Sequence, residues 1–185
     1  MIVAKRILLC LAHMSGNEMK FIQEAFDTNW VVPLGPNVDG FEHDLEAFVG
    51  QNKQVVALSS GTAAVHLALI ACGVKAGDEV MVQSFTFCAS SHPVTYLGAT
   101  PVFVDSERDT WNMDPVLLDK AIADRIAKTG RKPKAIIPVY LYGMPGKIKE
   151  ILEVAAKYDI PVIEDAAEGF ASRARICMNS RRYSP

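Results

Sequence analysis

No lysine follows Lys157 and no histidine follows His92 in this chain of 185 residues. The last part of the chain therefore lacks the side chains most used as an amine nucleophile and as a general base. Its four cysteines, Cys10, Cys72, Cys88 and Cys177, are scattered. None forms a Cys-x-x-Cys pair or has a histidine at ligand spacing, so no metal site is expected. Reduced, mostly buried thiols of a cytoplasmic protein are the reading that fits. Charge of one sign is also missing: the net charge is −2 and the pI about 6.1. Without a basic face, binding to nucleic acid or to an acidic membrane is not expected. No apolar run approaches membrane-spanning length. Met1 to Leu11 is apolar, but Lys5 and Arg6 interrupt it and Ala12-His13-Met14 is a poor cleavage site, so it resembles a signal peptide only weakly. No G-x-G-x-x-G follows a predicted strand, which argues against a dinucleotide-binding dehydrogenase. There is no internal repeat and no low-complexity segment.

What remains is an ordinary composition, 50% hydrophobic and 22% charged, on a chain long enough for one domain with a core. Helical spacing runs over Asn17–Asn29, with Met19, Ile22 and Phe26 on one side, and over Phe41–Val49, with Phe41, Leu45 and Phe48 on one stripe. Pro33–Asn37 is a break between them. Thereafter strands and helices alternate: a short buried strand at Val55–Leu58, a turn at Ser59–Thr62, and a helix over Ala63–Cys72 closed by Gly73 and Gly77. A strand at Glu79–Gln83 and a helix at Ser90–Leu97, broken early by Pro93, follow. Then come a strand at Thr100–Asp105, a helix at Pro115–Lys128 with Asp114 as N-cap, a strand at Ala135–Leu141, a helix at Ile148–Tyr158, and a strand at Pro161–Glu164. Such alternation predicts βαβ units and a mostly parallel sheet in a three-layer α/β/α arrangement. Ala171–Pro185 holds Arg173, Arg175, Arg181 and Arg182 and shows no strand or helix period.

Three places can carry chemistry, and all three sit where strands end. Ligands of open α/β sheets bind outside the carboxyl ends of the strands. In Ser59-Ser60-Gly61-Thr62-Ala63-Ala64 a strand gives way to a helix, whose first N–H groups and dipole suit an anion such as phosphate. Gly61 permits close approach and Thr62 adds a hydroxyl. In Ser84-Phe85-Thr86-Phe87 an aromatic can stack on a planar ring. In Ile163-Glu164-Asp165-Ala166-Ala167-Glu168, Asp165 is a partly buried carboxylate that needs a partner, and a protonated ring nitrogen would serve. Glu164, one strand step away, should face the other side. A helix cap, a core aromatic and a loop carboxylate are the plain alternatives for each. In chain order, however, a phosphate cradle, a stacking aromatic and a carboxylate for a pyridinium together suit pyridoxal phosphate.

The same segments resemble the DegT/DnrJ/EryC1 sugar aminotransferases, of fold type I. The resemblance rests on His13–Glu18, Asn29–Pro36, Ser59–Ala64, Gly77–Val80, Ser84–Phe87, Leu141–Gly143 and Glu164–Glu168. It implies a pyridoxal 5'-phosphate enzyme that moves an amino group, from glutamate in most members, to a keto sugar nucleotide of the UDP-4-keto-6-deoxy-N-acetylhexosamine kind, for surface polysaccharide. A homodimer is implied as well. It implies that Gly61, Thr62 and Ala63 bind the phosphate, that Phe87 stacks on the ring, that Asp165 is the catalytic acid paired with the ring nitrogen, and that Glu168 lies beside the cofactor. Tyr140 stands where many members have histidine, and Leu11-Ala12 replaces the usual prolines. Residues 1–170 then read as the N-terminal part of the cofactor-binding large domain. Residues 171–185 read as a non-family tail, by truncation or out-of-frame coding, with the small C-terminal domain absent. The family's Schiff-base lysine belongs beyond Asp165, in a segment the tail does not resemble. A chain without it would be at most a cofactor-binding or assembly module. A relative that uses histidine in place of that lysine, as some dehydratases of this fold do, fits poorly because no histidine follows His92.

Overall fold

The computed structural model describes residues 13–50 and 52–170. The apolar start and the arginine-rich tail lie outside these residues, as do Cys10 and Cys177. The chain divides into two compact units, Met1–Ala57 and Leu58–Pro185.

The first unit carries α1 (Glu18–Asp27) and α2 (Pro36–Val49). The carboxylate of Glu18 accepts from the N–H groups of Ser15 and Gly16, at 2.6 and 2.9 Å, and so ties down the chain entering α1. The apolar stripe of α1 is exposed at Met19, Ile22 and Phe26, and Phe41 and Phe48 of α2 are exposed too. The break expected over Pro33–Asn37 ends at Gly35, because Pro36 is already the first helical residue. A proline there loses no hydrogen bond and brings its φ preset. The buried strand expected at Val55–Leu58 is not formed: Val56 and Leu58 are exposed, and no described strand pairs with this stretch. Two of its N–H groups are satisfied by side chains instead. Val55 donates to Glu46 at 3.1 Å and Ala57 to Glu42 at 2.7 Å.

The second unit is a parallel sheet between two helical layers. It contains α3 (Gly61–Ala71), β1 (Glu79–Gln83), α4 (His92–Tyr96), β2 (Thr100–Val104), α5 (Pro115–Thr129), β3 (Ala135–Ile137) and α6 (Ile148–Tyr158). β1 is central, with β2 on one side and β3 on the other, both parallel to it. Alternation along β1 divides the core into two. Val80 and Val82 pack with Val65 and Leu69 of α3 and Val94 of α4. Met81 packs with Leu118 and Ile122 of α5 and Ile148 and Ile151 of α6. A sheet covered on both faces needs apolar residues at successive positions, and β1 is buried from Val80 to Gln83. Asp114 caps α5, accepting from Val116 and Leu117, as the spacing predicts.

β3 is shorter than the strand expected over Ala135–Leu141. Pro138 has no N–H to give, so the ladder stops at Ile137. The stretch expected as the fifth strand, Pro161–Glu164, is held by isolated parallel bridges, Ile136 with Val162 and Val139 with Asp165. The helix expected from Ser90 is a 3-10 turn, Cys88–Ser90, followed by the short α4 with Pro93 in its first turn. Of the described thiols Cys72 is half-buried and Cys88 exposed, which corrects the expectation of burial.

The loop after β2 is anchored by charge. Glu107 is 6% exposed and accepts from the Thr110 hydroxyl, the Asp109 and Thr110 N–H groups and Lys147. Burial pushes its carboxyl up, but these donors outweigh burial and hold it at about 2. A carboxyl depressed in the folded state stabilises the fold above its unfolded value and loses that contribution as pH falls toward its folded value. Glu107→Gln is therefore expected to unfold at lower urea than the parent at pH 7, with the gap closing between about pH 4.5 and pH 2. A gap constant over that range contradicts the assignment.

Candidate active site at the carboxyl end of the sheet

The site is built where β1, β3 and the Asp165 stretch end. Asp165 reaches it by backbone pairing: its N–H donates to the Pro138 carbonyl at 3.0 Å, and its carbonyl accepts from Tyr140 N–H at 3.1 Å. Its half-buried carboxylate turns inward, where Oδ2 accepts from the Ser90 hydroxyl at 2.6 Å and Oδ1 from Ala167 N–H at 3.3 Å. Glu164 turns the other way, as the strand step requires, and accepts from the Tyr140 hydroxyl. Burial, and then Glu164, push the Tyr140 phenol well above its usual range.

Phe87 immediately precedes the 3-10 turn that carries Ser90, and its side chain is 74% exposed. It is thus a presented ring rather than a core aromatic. It lines an open recess of about 200 Å³ with Phe85, Thr86, Leu141, Tyr142 and Glu168. Glu168 is fixed at one wall by accepting from Tyr142 N–H. Phe85 meets Tyr142 and Trp111 edge to face, at 6.2 and 6.4 Å between ring centres. Trp111 and Tyr142 both hold left-handed backbone, φ 63 and 55.

α3 packs on the turn carrying Ser90. Ser60 caps α3 by accepting from Ala63 N–H at 3.2 Å, so that N–H is already engaged. The N–H groups of Gly61 and Thr62 lie ahead of any intrahelical acceptor. A Cβ added at Gly61 would meet nothing within 4 Å. The structure thus brings Phe87 and Glu168 to one recess and joins Asp165 to it through Ser90. No hydrogen bond links Gly61–Ala63 directly to the others among the described residues.

Two polar groups of the site are invisible to motif reading. Gln83 and Asn112 are 0% and 1% exposed. The Gln83 amide donates to the Phe85 carbonyl and to Asn112, and its oxygen accepts from Met113 and Val139 N–H groups. Asn112 accepts from Leu141 N–H and donates to the Met144 carbonyl. This pair ties the Phe85 side of the recess to the Leu141–Tyr142 side. A polar residue closing an otherwise apolar strand is the signal that points to it. The other missed groups are the hydroxyls of Thr86 and Ser90, 2.8 Å apart.

These features fit pyridoxal phosphate: a half-buried carboxylate with one lightly engaged oxygen, an exposed ring beside an open recess, and two helix-start N–H donors that lie ahead of any intrahelical acceptor. No group of three or more metal-binding side chains occurs among the described residues. No described helix is long and apolar enough to cross a membrane.

The architecture, a parallel sheet between helices, is that of fold type I transferases. The chain matches the DegT/DnrJ/EryC1/StrS aminotransferase family over residues 13–176, and it belongs to that family. It is 50% identical over 168 residues to EpsN of Bacillus subtilis (strain 168), described as a pyridoxal phosphate-dependent aminotransferase, covering 91% of this chain and 43% of EpsN. It is 41% identical over 170 residues to the GDP-perosamine synthase of Caulobacter vibrioides, covering 92% of this chain and 44% of that protein. The crystal structure of a DegT DnrJ EryC1 StrS aminotransferase from Brucella abortus superposes with a TM-score of 0.72 at 36% identity, over 84% of this chain and 44% of that one. The chain thus spans about two-fifths of the length of the curated relatives it matches.

Replacing Gln83 by leucine strands the buried Met113 and Val139 N–H groups and one Asn112 acceptor. The expected loss is about 2–5 kcal/mol in urea unfolding. A loss under about 1 kcal/mol would show that the clamp relaxes around the substitution.

Proposed function

We propose that this chain supplies the cofactor-binding part of a pyridoxal phosphate-dependent aminotransferase acting on a keto sugar nucleotide. Residues 1–170 are read as part of the large domain. The observation that carries this reading is Asp165, a carboxylate delivered to the carboxyl end of a parallel sheet and held there beside a recess with a presented aromatic ring. The names of the relatives, a pyridoxal phosphate-dependent aminotransferase and a GDP-perosamine synthase, support the amino-transfer class and a sugar nucleotide as acceptor. A UDP-linked acceptor sugar, glutamate as amino donor, a homodimer and a cytoplasmic location belong to the same proposal and rest on family resemblance.

When bound, pyridoxal phosphate would supply an electron sink for amino transfer. The chain's own residues bind, orient and hold a proton. The Asp165 carboxylate would accept from the ring N–H and keep that proton in place, which a neutral side chain would not do. Phe87 would cover one face of the ring and exclude water from it. Gly61 and Thr62 would offer their N–H groups to the phosphate, with the α3 dipole behind them. Glu168, locked to Tyr142, shapes the recess wall. Lys147 and Lys157 are not amine candidates, because the first is paired with Glu107 and Asp109 and the second with Asp119.

Titrating the 185-residue chain with pyridoxal phosphate tests the reading. The chain is expected to bind, and Asp165→Ala to bind at least about tenfold more weakly, the scale of one lost charge-assisted hydrogen bond. Equal binding by the two proteins, or none by the parent, overturns it.

A further inference from the structure

Ser90 is completely buried, and a buried serine in a helical turn has an easy partner close by. Its hydroxyl can return to a carbonyl three or four residues back. Two neighbours do this: Ser91 bonds the Cys88 carbonyl at 3.3 Å, and Thr95 bonds the His92 carbonyl at 2.7 Å. Ser90 does not. Its hydroxyl crosses to Asp165, 75 positions away, at 2.6 Å. On its other side lies the Thr86 hydroxyl at 2.8 Å, and Thr86 also lines the recess.

Proton counting sets the direction of this chain. A carboxylate only accepts, so Ser90 spends its single proton on Asp165. Its oxygen then has only acceptor capacity left for Thr86, so Thr86 must be the donor between them. Thr86 therefore spends its proton on Ser90 and has none to give to the recess it lines. Asp165 Oδ2 is committed to Ser90, and among the described residues Oδ1 takes only the 3.3 Å contact from Ala167 N–H, which makes it the oxygen left to offer.

We infer that Ser90, oriented by Thr86, is the positioning residue that turns the Asp165 carboxylate so that Oδ1 faces a ligand N–H. The inference rests on Asp165 being a ligand partner, as proposed above. Removing the Ser90 hydroxyl frees the carboxylate to rotate about its last side-chain bond and frees Thr86 to turn its proton toward the recess. Both changes degrade the match to a ligand that brings a donor.

The test uses the full 185-residue chain, Ser90→Ala, Ser90→Thr and Thr86→Val, with pyridoxamine phosphate as the probe. Two quantities are read: the carboxyl ¹³C resonance of Asp165 without probe, and probe affinity. Ser90→Ala is expected to displace the resonance and weaken binding about tenfold, while Ser90→Thr, which keeps a hydroxyl, stays within about twofold of the parent. Thr86→Val is expected to displace the resonance in the same direction by less. An unmoved Asp165 resonance in Ser90→Ala overturns the inference. So does a Ser90→Thr protein as weak as Ser90→Ala when both keep the parent's circular dichroism. If the parent does not bind the probe, the cofactor reading fails and the resonance alone decides the positioning role. If Ser90→Ala does not fold, the parent's Ser90 hydroxyl proton decides: slow exchange with water supports the bond to Asp165, and rapid exchange overturns it.

Discussion

The parallel pairing of residues 161–165 with β3 is the constraint on which the site depends. Pro138 cannot donate, so β3 ends as a continuous ladder, yet its carbonyl still accepts from Asp165 N–H at 3.0 Å. Tyr140 N–H returns to the Asp165 carbonyl at 3.1 Å. These two bonds clamp the aspartate backbone at the sheet's end, and strand alternation then sends neighbouring carboxylates apart. Glu164 goes to Tyr140 and the solvent side, Asp165 to Ser90 and the interior. Without this pairing the carboxylate would be one of many on a loop.

Around that clamp the chain spends its few buried polar groups. Gln83 and Asn112 occupy positions that the packing would otherwise give to apolar side chains, and their bonds hold the two walls of the recess at fixed separation. A half-satisfied amide in such a place would be costly, whereas a satisfied one gives rigidity. Glu107 and Lys147 anchor the loop bearing Trp111 in the same way, through charge. The aromatic residues on the rim, by contrast, remain exposed, so rigidity is concentrated behind the recess and apolar surface is presented in front of it.

Much of the fold was legible because local signals agreed. β1 has the expected bounds, Glu79–Gln83, since its apolar run is closed by turn residues on both sides. α5 and α6 begin and end within a residue of expectation because Asp114-Pro115 is a strong start and the apolar spacing of Ile148–Tyr158 is regular. Pro161–Glu164, expected as a strand, does pair in parallel with the β3 stretch, but only through isolated bridges. Val55–Leu58 has strand composition too, but pairing depends on a neighbour, which local sequence does not contain. For Val55 and Ala57 the competing acceptors are the Glu46 and Glu42 carboxylates. Asp165, Phe87 and the start of α3 could be picked out from their places at strand and helix ends. Ser90 and Asn112 could not, because small and amide side chains acquire meaning only from partners distant in sequence.

The central claim is that Asp165 holds a proton on a bound ring nitrogen. The most direct measurement is the ring ¹⁵N resonance of ¹⁵N-labelled pyridoxamine phosphate bound to the chain, followed from pH 6 to pH 9. The account predicts that the nitrogen keeps the resonance of a protonated pyridine across this range, and that Asp165→Asn moves it to that of the neutral ring. The same resonance in both proteins at every pH would contradict it.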